Sequence, residues 1–538
     1  MDDIKEKSNH HEGDNANPAN PGMSPVDDML RAAEEAALLE KEMPIMEAIK
    51  AYPKAIAFSM IVSLCLIMEG YDTALVDAFF SLPQFRERFG ERLDNGDYQI
   101  TASWMSGLKT GVQVGQILGL MAAGVIAERY GYKKTILGSL FMLIGFIFIF
   151  FFASHIAMLF IAGVFMWRSM AFQTLTTTYA ADVTPIPLRP VLTTYVNMCW
   201  VMGQLLSSGV LRGLIDRHDN WAWRIPYAIQ WVFPPPIIIG VLLAPESPTW
   251  LVRKGRLDDA RKSLRRLASG RSEDEINNTV AMLVYTDQME KESVEGVSYL
   301  DCFRGANLRR TEIACMVWAA QVLCGVWFGG NVIYFLQQAG FDPAKSFDFG
   351  IGTQALALAG TIGAWFLLPH VGRRRLYLVG LSVMLVVLLA VGFMGIPARM
   401  DAIGYASGAL MMVFVVTYDL TVGPVCYCLV AEIPSTRLRI KTAVLARNTY
   451  NIISIGANFL NAPILNPGAW NLRGKGGFIW AGPCAVALVW SFFRLPETKG
   501  RAISELDTLF ERRVSTRDFA KTEVTIFEQS QNEKLGVE

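Results

Sequence analysis

Apolar runs long enough to cross a lipid bilayer account for most of the chain. Of its 538 residues 52% are hydrophobic and only 18% are charged, and a crossing helix needs about 20 largely apolar residues. The first set of runs covers 55–80, 101–127, 134–153, 156–181, 190–213 and 225–244; the second covers 310–338, 347–369, 375–395, 403–431, 441–463 and 477–494. The pattern predicts an all-α membrane protein with twelve transmembrane helices, because a water-soluble chain of this length carries more charge.

Polar segments lie before, between and after the two sets of runs. Residues 1–54 are polar and acidic, which is typical of a disordered tail. In the central segment 245–309, Ser247-Pro248 predicts a helix start and Leu257–Leu267 predicts an amphipathic helix. We therefore divide the chain into a tail (1–54), a six-helix half (55–244), a helical linker (245–309), a second six-helix half (310–494) and a tail (495–538).

Basic residues gather in the short loops on one side of the predicted bundle. They are Arg129, Lys133 and Lys134, then Arg373 to Arg375, then Arg437, Arg439 and Lys441. Loops on the other side mix both signs, as in 86–97. Because basic loops stay in the cytosol, both termini and the linker are predicted to be cytosolic.

Three loop motifs occur twice. Gly131-Tyr-Lys-Lys matches Gly372-Arg-Arg-Arg, the segment 182–189 matches 432–439, and Pro245-Glu246-Ser247 matches Pro496-Glu497-Thr498. The displacement is about 240–250 residues each time, which predicts two related halves. Halves that repeat in parallel enclose a cavity near the middle of the membrane and rock about it to transport a solute. A receptor or a membrane enzyme would not need the duplicated clusters.

A closely spaced pair of carboxylates lies inside the first apolar run. Glu69 and Asp72 are three residues apart and share one helical face. An acidic pair at membrane depth is costly unless it is paired, protonated or hydrated, so it indicates a functional site. The alternative is an acid near the membrane surface that only orients the helix.

Longer motifs carry a family resemblance over about 52–524. General motifs are Glu128-Arg-Tyr-Gly-Tyr-Lys-Lys134, Pro245-Glu-Ser-Pro248, Val371-Gly-Arg-Arg-Arg375 and Pro496-Glu-Thr-Lys-Gly-Arg501. More specific ones are Glu69-Gly-Tyr-Asp-Thr73, Phe172 to Tyr179, Gly423 to Pro434, Leu445-Ala-Arg-Asn448 and Leu465 to Asn471. In this order and spacing the chain resembles the sugar porters of the major facilitator superfamily, and within them the fungal α-glucoside (maltose-type) proton symporters.

The resemblance implies a fold and an activity. The fold is the major facilitator fold: twelve transmembrane helices in two six-helix pseudo-symmetric halves with a cytosolic helical insert. The activity is import of an α-glucoside such as maltose with a proton, by alternating access, at the plasma membrane. The expected partners are a small-molecule sugar, protons and the lipid bilayer, and the chain is expected to be monomeric and to need no cofactor.

The resemblance also implies site residues. Proton coupling is assigned to Glu69, Asp72 and Arg447. Substrate binding is assigned, by resemblance and by chain position, to Gln204, Gln321, Asn331, Tyr334 and Asn451, and also to Gln116, whose amide can bind hydroxyls. Asn458 is a further polar candidate, and Trp200, Trp327 and Tyr427 could lie against a sugar ring. Alternatively, the polar residues form hydrogen bonds between packed helices and the aromatic residues face lipid.

The duplicated loops are expected to form a cytoplasmic gate. Its members are Glu128, Arg129, Lys133, Asp182, Arg189, Glu246, Arg373, Arg374, Glu432, Arg439 and Glu497. A network of weak exposed ion pairs holds one state yet can open. The alternative is that the basic residues set topology alone.

Three positions depart from the family pattern. Gln116 replaces the usual span-two carboxylate and binds hydroxyls without carrying a proton, and Met166 to Ala171 replaces a Gly- and Pro-containing motif, which introduces Arg168. Lys109 lies within span two. We hypothesise that Arg168 or Lys109 neutralises the acidic pair of span one, and that Asp419 partners Arg447, either as a coupling pair or as a static salt bridge.

Other functions remain open or are disfavoured. Gln116 and the altered span four leave open a uniporter or a carrier of another sugar, polyol or glycoside, and a sugar receptor that does not transport is the alternative of another class. The five histidines form no spaced ligand set, and the eight cysteines suggest apolar packing, so no metal site and no catalytic residues are predicted. A net charge of +0 gives no indication of nucleic-acid binding.

Overall fold

The computed structural model describes residues 43–522, except 94–95, 170–171, 186–187, 295–297, 339, 397–400, 436–437, 500, 502 and 520. Most of the predicted N-terminal tail, residues 1–42, therefore lies outside the described residues. The described chain is almost entirely helical. Its strands, Glu91–Arg92 and Tyr98–Gln99, pair antiparallel in a short hairpin.

Helices of the first half form six spans. Span one is Pro53–Phe79, span two Ala102–Tyr130, span three Tyr132–Phe151, span four Ile156–Ser169 with Phe172–Val183, and span five Arg189–Leu214. Span six consists of Trp221–Ile229 and Pro234–Leu243, joined by a 3-10 turn at Gln230–Val232.

Helices of the second half repeat the arrangement. Span seven is Gly305–Leu323 followed by Val326–Gly329 and Val332–Gln338, span eight is Pro343–His370 and span nine is Arg373–Met394. Span ten is Asp401–Leu420 with Val422–Glu432, span eleven Arg439–Leu465, and span twelve Gly476–Arg494 after a 3-10 turn at Arg473–Lys475.

The remaining helices lie at one end of the bundle. They are Ile45–Ala51, Pro248–Arg253, Leu257–Leu267, Glu273–Val294, the 3-10 helix Tyr299–Phe303 and Ile503–Glu511. The backbone N–H of Ser269 donates to Ala51 O at 2.8 Å, and Arg309 Nη1 donates to Val514 O at 2.8 Å. We call this end the insert side and the other end, where Pro83–Phe89 lies, the opposite side.

The predicted local signals in the linker are confirmed. Ser247 Oγ accepts a hydrogen bond from the backbone N–H of Trp250 at 3.1 Å, and Pro248 occupies the first helical position. The amphipathic helix begins at Leu257 and ends at Leu267, as expected, with Ala260 and Leu267 buried.

Within the described residues, nine helices are long and apolar enough to cross a membrane. Spans four, five and eleven are not among them. Span four contributes a shorter apolar helix, Ile156–Phe165, but spans five and eleven have 26 and 27 residues. Length is therefore not what sets the last two apart; they carry polar residues such as Gln204 and Asn451. Since buried polar groups need protein or water partners in a membrane, these helices belong in the centre of the bundle.

The helix contacts repeat from one half to the other. Span one packs against span five as span seven packs against span eleven, and span two packs against span four as span eight packs against span ten. Spans three and six pair as spans nine and twelve do. Across the interface, span five contacts span eight and span eleven contacts span two. This pairing confirms two pseudo-symmetric six-helix halves.

Spans one and five cross with their backbones in contact. A Cβ added to Gly203 would lie 2.0 Å from Ile67 O, and one added to Gly70 would lie 2.1 Å from Trp200 O. Helices in membranes approach this closely where small residues face each other.

Hydrogen bonds join the two halves near the opposite side. Asn466 Nδ2 donates to Ile100 O at 2.7 Å, and Ser106 Oγ donates to Asn458 O at 3.3 Å. Arg212 Nε lies 2.6 Å from Asp348 Oδ1. These residues are all near the opposite-side ends of their helices, so the halves are closed together at that side.

Candidate functional site

A cavity of about 330 Å³ lies between the two halves. Spans one, two, five, seven, eight, ten and eleven line it. Its wall combines amides, aromatic rings and four charged side chains. The amides are Gln113, Gln116, Gln204, Gln321, Asn331, Gln354 and Asn458. The aromatic residues are Trp200, Trp327, Tyr334, Tyr418, Tyr427 and Tyr450, and the charged ones are Asp77, Lys109, Asp419 and Arg447. A site of this size and lining suits a small polar molecule with apolar faces.

Five of the six predicted substrate-binding residues line this cavity. They are Gln116, Gln204, Gln321, Asn331 and Tyr334. The further candidates Asn458, Trp200, Trp327 and Tyr427 line it as well. Asn451 is fully buried and is not part of the lining. Its amide finds no hydrogen-bond partner within the described residues.

Breaks in spans seven and ten shape the wall from the second half. Span seven is interrupted at Gly325, whose φ of 88° favours glycine, and Asn461 Nδ2 donates to the nearby carbonyl of Trp327 at 2.9 Å. Span ten is interrupted at Thr421, and Gln321 Nε2 donates to Gly423 O at 3.1 Å. Side-chain amides thus satisfy carbonyl groups at the interrupted helices, which is what makes irregular backbone tolerable at membrane depth.

An ion pair that sequence reasoning missed closes the cavity toward the opposite side. Lys109 Nζ lies 2.7 Å from Asp77 Oδ1 and 3.4 Å from Asn331 Oδ1 across the interface. It also lies 5.7 Å from the ring centroid of Phe80. We expected Lys109 to neutralise Glu69 and Asp72. In the structure its amine instead forms an ion pair with Asp77.

Helix geometry explains that difference. Asp77 is about 7.5 Å further along span one than Asp72, at 1.5 Å per residue, and Lys109 is only two turns from the start of span two. The signal that could have identified Asp77 is its position as a third carboxylate in the first apolar run, five residues after Asp72.

Glu69 and Asp72 are fully buried in span one and are not part of the cavity lining. Asp72 Oδ1 accepts a hydrogen bond from Gln230 Nε2 of span six at 2.8 Å. Arg168 belongs to the first helix of span four, which leads to residues that the structure does not describe, and its side chain lies outside the described part. Its pairing with the acids stays a prediction.

Arg447 and Asp419 both line the cavity but do not form the expected ion pair. The Arg447 guanidinium lies over Trp318, 4.6 Å from the ring centroid, and over Tyr450, at 4.7 Å. Two aromatic faces stabilise the cation there. Asp419 forms no hydrogen bond or ion pair with any residue that the structure describes.

The predicted gate residues on the insert side form the same contacts twice. Glu246 Oε1 accepts from the backbone N–H groups of Tyr132 at 3.0 Å and Lys133 at 3.3 Å. Glu497 accepts from the N–H groups of Arg373 at 2.8 Å and Arg374 at 3.2 Å. Each carboxylate thereby caps the start of span three or span nine, where the helix dipole favours negative charge. Burial raises the pKa of Glu246, and these backbone hydrogen bonds oppose that shift.

Two glycines make room for the caps. A Cβ on Gly131 would lie 2.5 Å from Glu246 Oε2, and one on Gly372 would lie 2.1 Å from Glu497 Oε2. The repeated Gly in the loop motif is therefore explained by close approach of a carboxylate to the helix start.

The other gate contacts also lie within one half each. Ser247 Oγ donates to Asp182 Oδ2 at 2.7 Å, and Thr498 Oγ1 donates to Glu432 Oε2 at 2.5 Å. Arg373 Nη2 lies 3.0 Å from Glu432 Oε1. These contacts tie helices together inside a half and do not bridge the halves.

The remaining gate candidates are Glu128, Arg129, Lys133, Arg189 and Arg439. Lys133 Nζ donates to Ala244 O at 3.0 Å. Glu128 and Arg129 are exposed. The Arg189 and Arg439 side chains lie outside the described part, so their role stays a prediction.

The chain matches a protein-family model and curated yeast proteins over most of its length. A family model described as "Sugar (and other) transporter" matches residues 58–510. A maltose permease of Saccharomyces cerevisiae is 39% identical over 510 residues, covering 93% of this chain and 83% of its own length. A general alpha-glucoside permease of the same yeast is 39% identical over 523 residues, covering 96% and 84%.

Solved structures agree with the fold. The proton:xylose symporter XylE bound to 6-bromo-6-deoxy-D-glucose superposes with a TM-score of 0.65 at 19% identity, covering 85% of this chain and 99% of that one. The inward open conformation of XylE from E. coli gives a TM-score of 0.67 at 18% identity, with the same coverage. Since the family match covers most of the chain, this protein belongs to the sugar transporter family of the major facilitator superfamily, and it is a multi-pass membrane transporter and not an enzyme.

Proposed function

We propose that the chain imports α-glucosides such as maltose together with protons. The observation that carries this proposal is the central cavity, where amides from both halves converge between aromatic rings. The yeast relatives are named as maltose and α-glucoside permeases at 39% identity, which supports the same substrate class here.

The cavity wall has the chemistry that a disaccharide needs. Sugar hydroxyls both donate and accept, and an amide side chain offers an oxygen and two N–H groups to them. Gln116 and Gln204 supply such groups from the first half, and Gln321 and Asn331 supply them from the second. Trp200 and Trp327 offer apolar rings for the sugar faces. A ligand that bridges the halves would favour their closure around it.

Orientation in the membrane is part of the proposal. The insert side carries the basic loops, so we place it, with both termini, in the cytosol. The halves are joined at the opposite side, which makes the present arrangement inward-facing. We place the chain in the plasma membrane as a monomer whose outer surface contacts lipid, consistent with exposed apolar side chains such as Phe141 and Val386 on spans three and nine.

Proton coupling requires a carboxylate that is neutral in one state and charged in another. Glu69 and Asp72 remain the candidates by resemblance, with Arg447 as the accompanying cation. The cavity adds Asp77 and Asp419 to the carboxylates that could serve. Gln116 does not serve, because an amide does not carry a proton.

The test is maltose uptake in yeast cells that lack their own α-glucoside carriers. Cells expressing the chain should take up labelled maltose faster at acidic than at neutral external pH, and the medium should become more alkaline when maltose is added. Uptake without proton movement would favour a uniporter. No uptake of maltose or related glucosides by a protein that reaches the cell surface would contradict the substrate proposal.

A further inference from the structure

The two aspartates that line the cavity differ in their partners. Asp77 is neutralised by Lys109 at 2.7 Å. Asp419 forms no hydrogen bond or ion pair within the part of the chain that the structure describes, although it lines the same cavity. An aspartate at membrane depth without a counterion is stable only while water reaches it or while it is protonated.

Asp419 is held in place by the packing of its helix. It lies two residues before the break in span ten at Thr421. A Cβ added to Gly360 of span eight would lie 3.4 Å from Asp419 Cβ, so the two helices pack closely at this point. Spans eight and ten therefore pack backbone to backbone at this point, with the Asp419 side chain on the cavity wall.

Among the described residues, the two cations that line the cavity contact other groups. Arg447 of span eleven lies over the rings of Trp318 and Tyr450, and Lys109, across the cavity, is on Asp77. Span eight presents the neutral Thr353 and Gln354 to the cavity. The other titratable groups that line the cavity are tyrosines: Tyr418 and Tyr427 of span ten, Tyr334 of span seven and Tyr450 of span eleven. Tyrosine stays neutral at physiological pH, with an ordinary pKa of about 10.

We infer that Asp419 carries the transported proton. This rests on the proposed symport. While the cavity is open to water, hydration favours the ionised form of Asp419. When the halves close around a sugar, water leaves and the charged form loses its hydration, so closure with bound sugar requires a proton on Asp419. That proton enters from the external water and is released to the cytosolic water when the insert side opens.

This role would compensate for Gln116. The family pattern has a carboxylate at that position in span two, on the first half, whereas here the acid that meets the cavity without a partner is in span ten, on the second half. Glu69 and Asp72 are fully buried beside the cavity wall and not part of it. Through Asp419, the proton binds in the same cavity as the sugar.

The test is Asp419→Asn in cells, with maltose uptake, alkalinisation of the medium and exchange of labelled for unlabelled maltose measured together. The variant should lose the alkalinisation at least tenfold and take up maltose equally at about pH 5 and about pH 7, while exchange persists. Asp274→Asn is the matched control, because Asp274 is an exposed aspartate on the linker helix Glu273–Val294, away from the cavity, and it should behave as the unmodified chain does.

Each outcome decides a different point. If the unmodified chain moves maltose without protons, the symport proposal fails and the role of Asp419 fails with it. If the unmodified chain couples and Asp419→Asn couples equally, only the inference about Asp419 is overturned. Should Asp419→Asn not reach the surface, Asp419→Glu carries the test. It keeps a carboxylate in a changed position, so coupling should persist with a shifted pH midpoint, and an unshifted midpoint would overturn the inference.

Discussion

Gln204 and Gln321 hold their amides differently, although both line the cavity. Gln321 donates to the carbonyl of Gly423, so part of its hydrogen-bonding capacity supports the break in span ten. The Gln204 side chain forms no hydrogen bond with the described residues, which leaves its amide available to a sugar. Truncation of Gln204 should therefore affect the substrate alone, whereas truncation of Gln321 should also affect the fold.

Gln204→Ala should weaken maltose binding about tenfold, because one hydrogen bond to a buried ligand contributes about 1–1.5 kcal/mol. The measurement is the KM for uptake together with the thermal stability of the purified protein, which should not change. Ser208→Ala is the control: its hydroxyl donates to Gln204 O in its own helix at 3.1 Å, so KM should change less than about twofold. An unchanged KM for Gln204→Ala would remove Gln204 from the site.

The sequence predicted which polar residues line the cavity better than it predicted which charged residues contact each other. Polar residues inside apolar runs indicated the cavity, and five of six candidates line it. The pairing of Lys109 with Asp77, and of Arg447 with two aromatic rings, depends on helix depth and rotation. If a predicted helix end is wrong by a few residues, the predicted depth of a side chain is wrong by about one turn. These contacts could therefore not be predicted from the sequence.

Helices that approach closely explain much of the architecture. Span one crosses span five at Gly70 and Gly203 without room for a side chain on either. Gly131 and Gly372 likewise leave room for the carboxylates that cap spans three and nine. Small residues therefore set both the helix crossing within the first half and the loops on the insert side.

Gly203→Ala should destabilise the protein by more than about 2 kcal/mol, because the added methyl group would overlap the backbone of span one. Thermal unfolding of the detergent-purified protein is the measurement. Gly209→Ala, in the same helix, is the matched control, since a Cβ there meets nothing within 4 Å; a slight gain in stability is expected from better helix propensity. Equal stability of the two variants would contradict the close backbone contact between spans one and five.

Element existence could be predicted from the sequence, whereas element interruption could not. Every apolar run corresponds to a helical span in the described residues. The breaks at Gly325 and Thr421 were missed, because a single Gly or Thr in an apolar run is equally compatible with a continuous helix. The polar residues of spans five and eleven are explained only by the assembled bundle, because both spans contact the other half there.

The whole molecule is two halves held together at the opposite side. Arg212 of span five and Asp348 of span eight form an ion pair there at 2.6 Å, with side chains 32% and 56% exposed. A pair this exposed contributes less than about 1 kcal/mol. It can therefore bias the closed arrangement without preventing the rocking motion that transport requires.

Arg212→Asp should favour opening of the opposite side, because two carboxylates would then face each other. The readout is labelling of a cysteine placed at Thr353, on the cavity wall, by a membrane-impermeant thiol reagent added outside, with Cys315 and Cys428 replaced by serine. Labelling should rise up to about fivefold. The exchanged pair Arg212→Asp with Asp348→Arg should return it to the starting level. A double variant that labels like the single one would show that the ion pair does not hold the halves together.

The most direct measurement is maltose accumulation in proteoliposomes that contain only this chain. With the outside acidic, maltose should concentrate inside above its external level, and a protonophore that collapses the pH gradient should release the excess. This result is predicted if proton and sugar share the cavity. Maltose that enters only until both sides are equal, whatever the pH gradient, would contradict proton coupling, and exclusion of maltose would contradict the substrate.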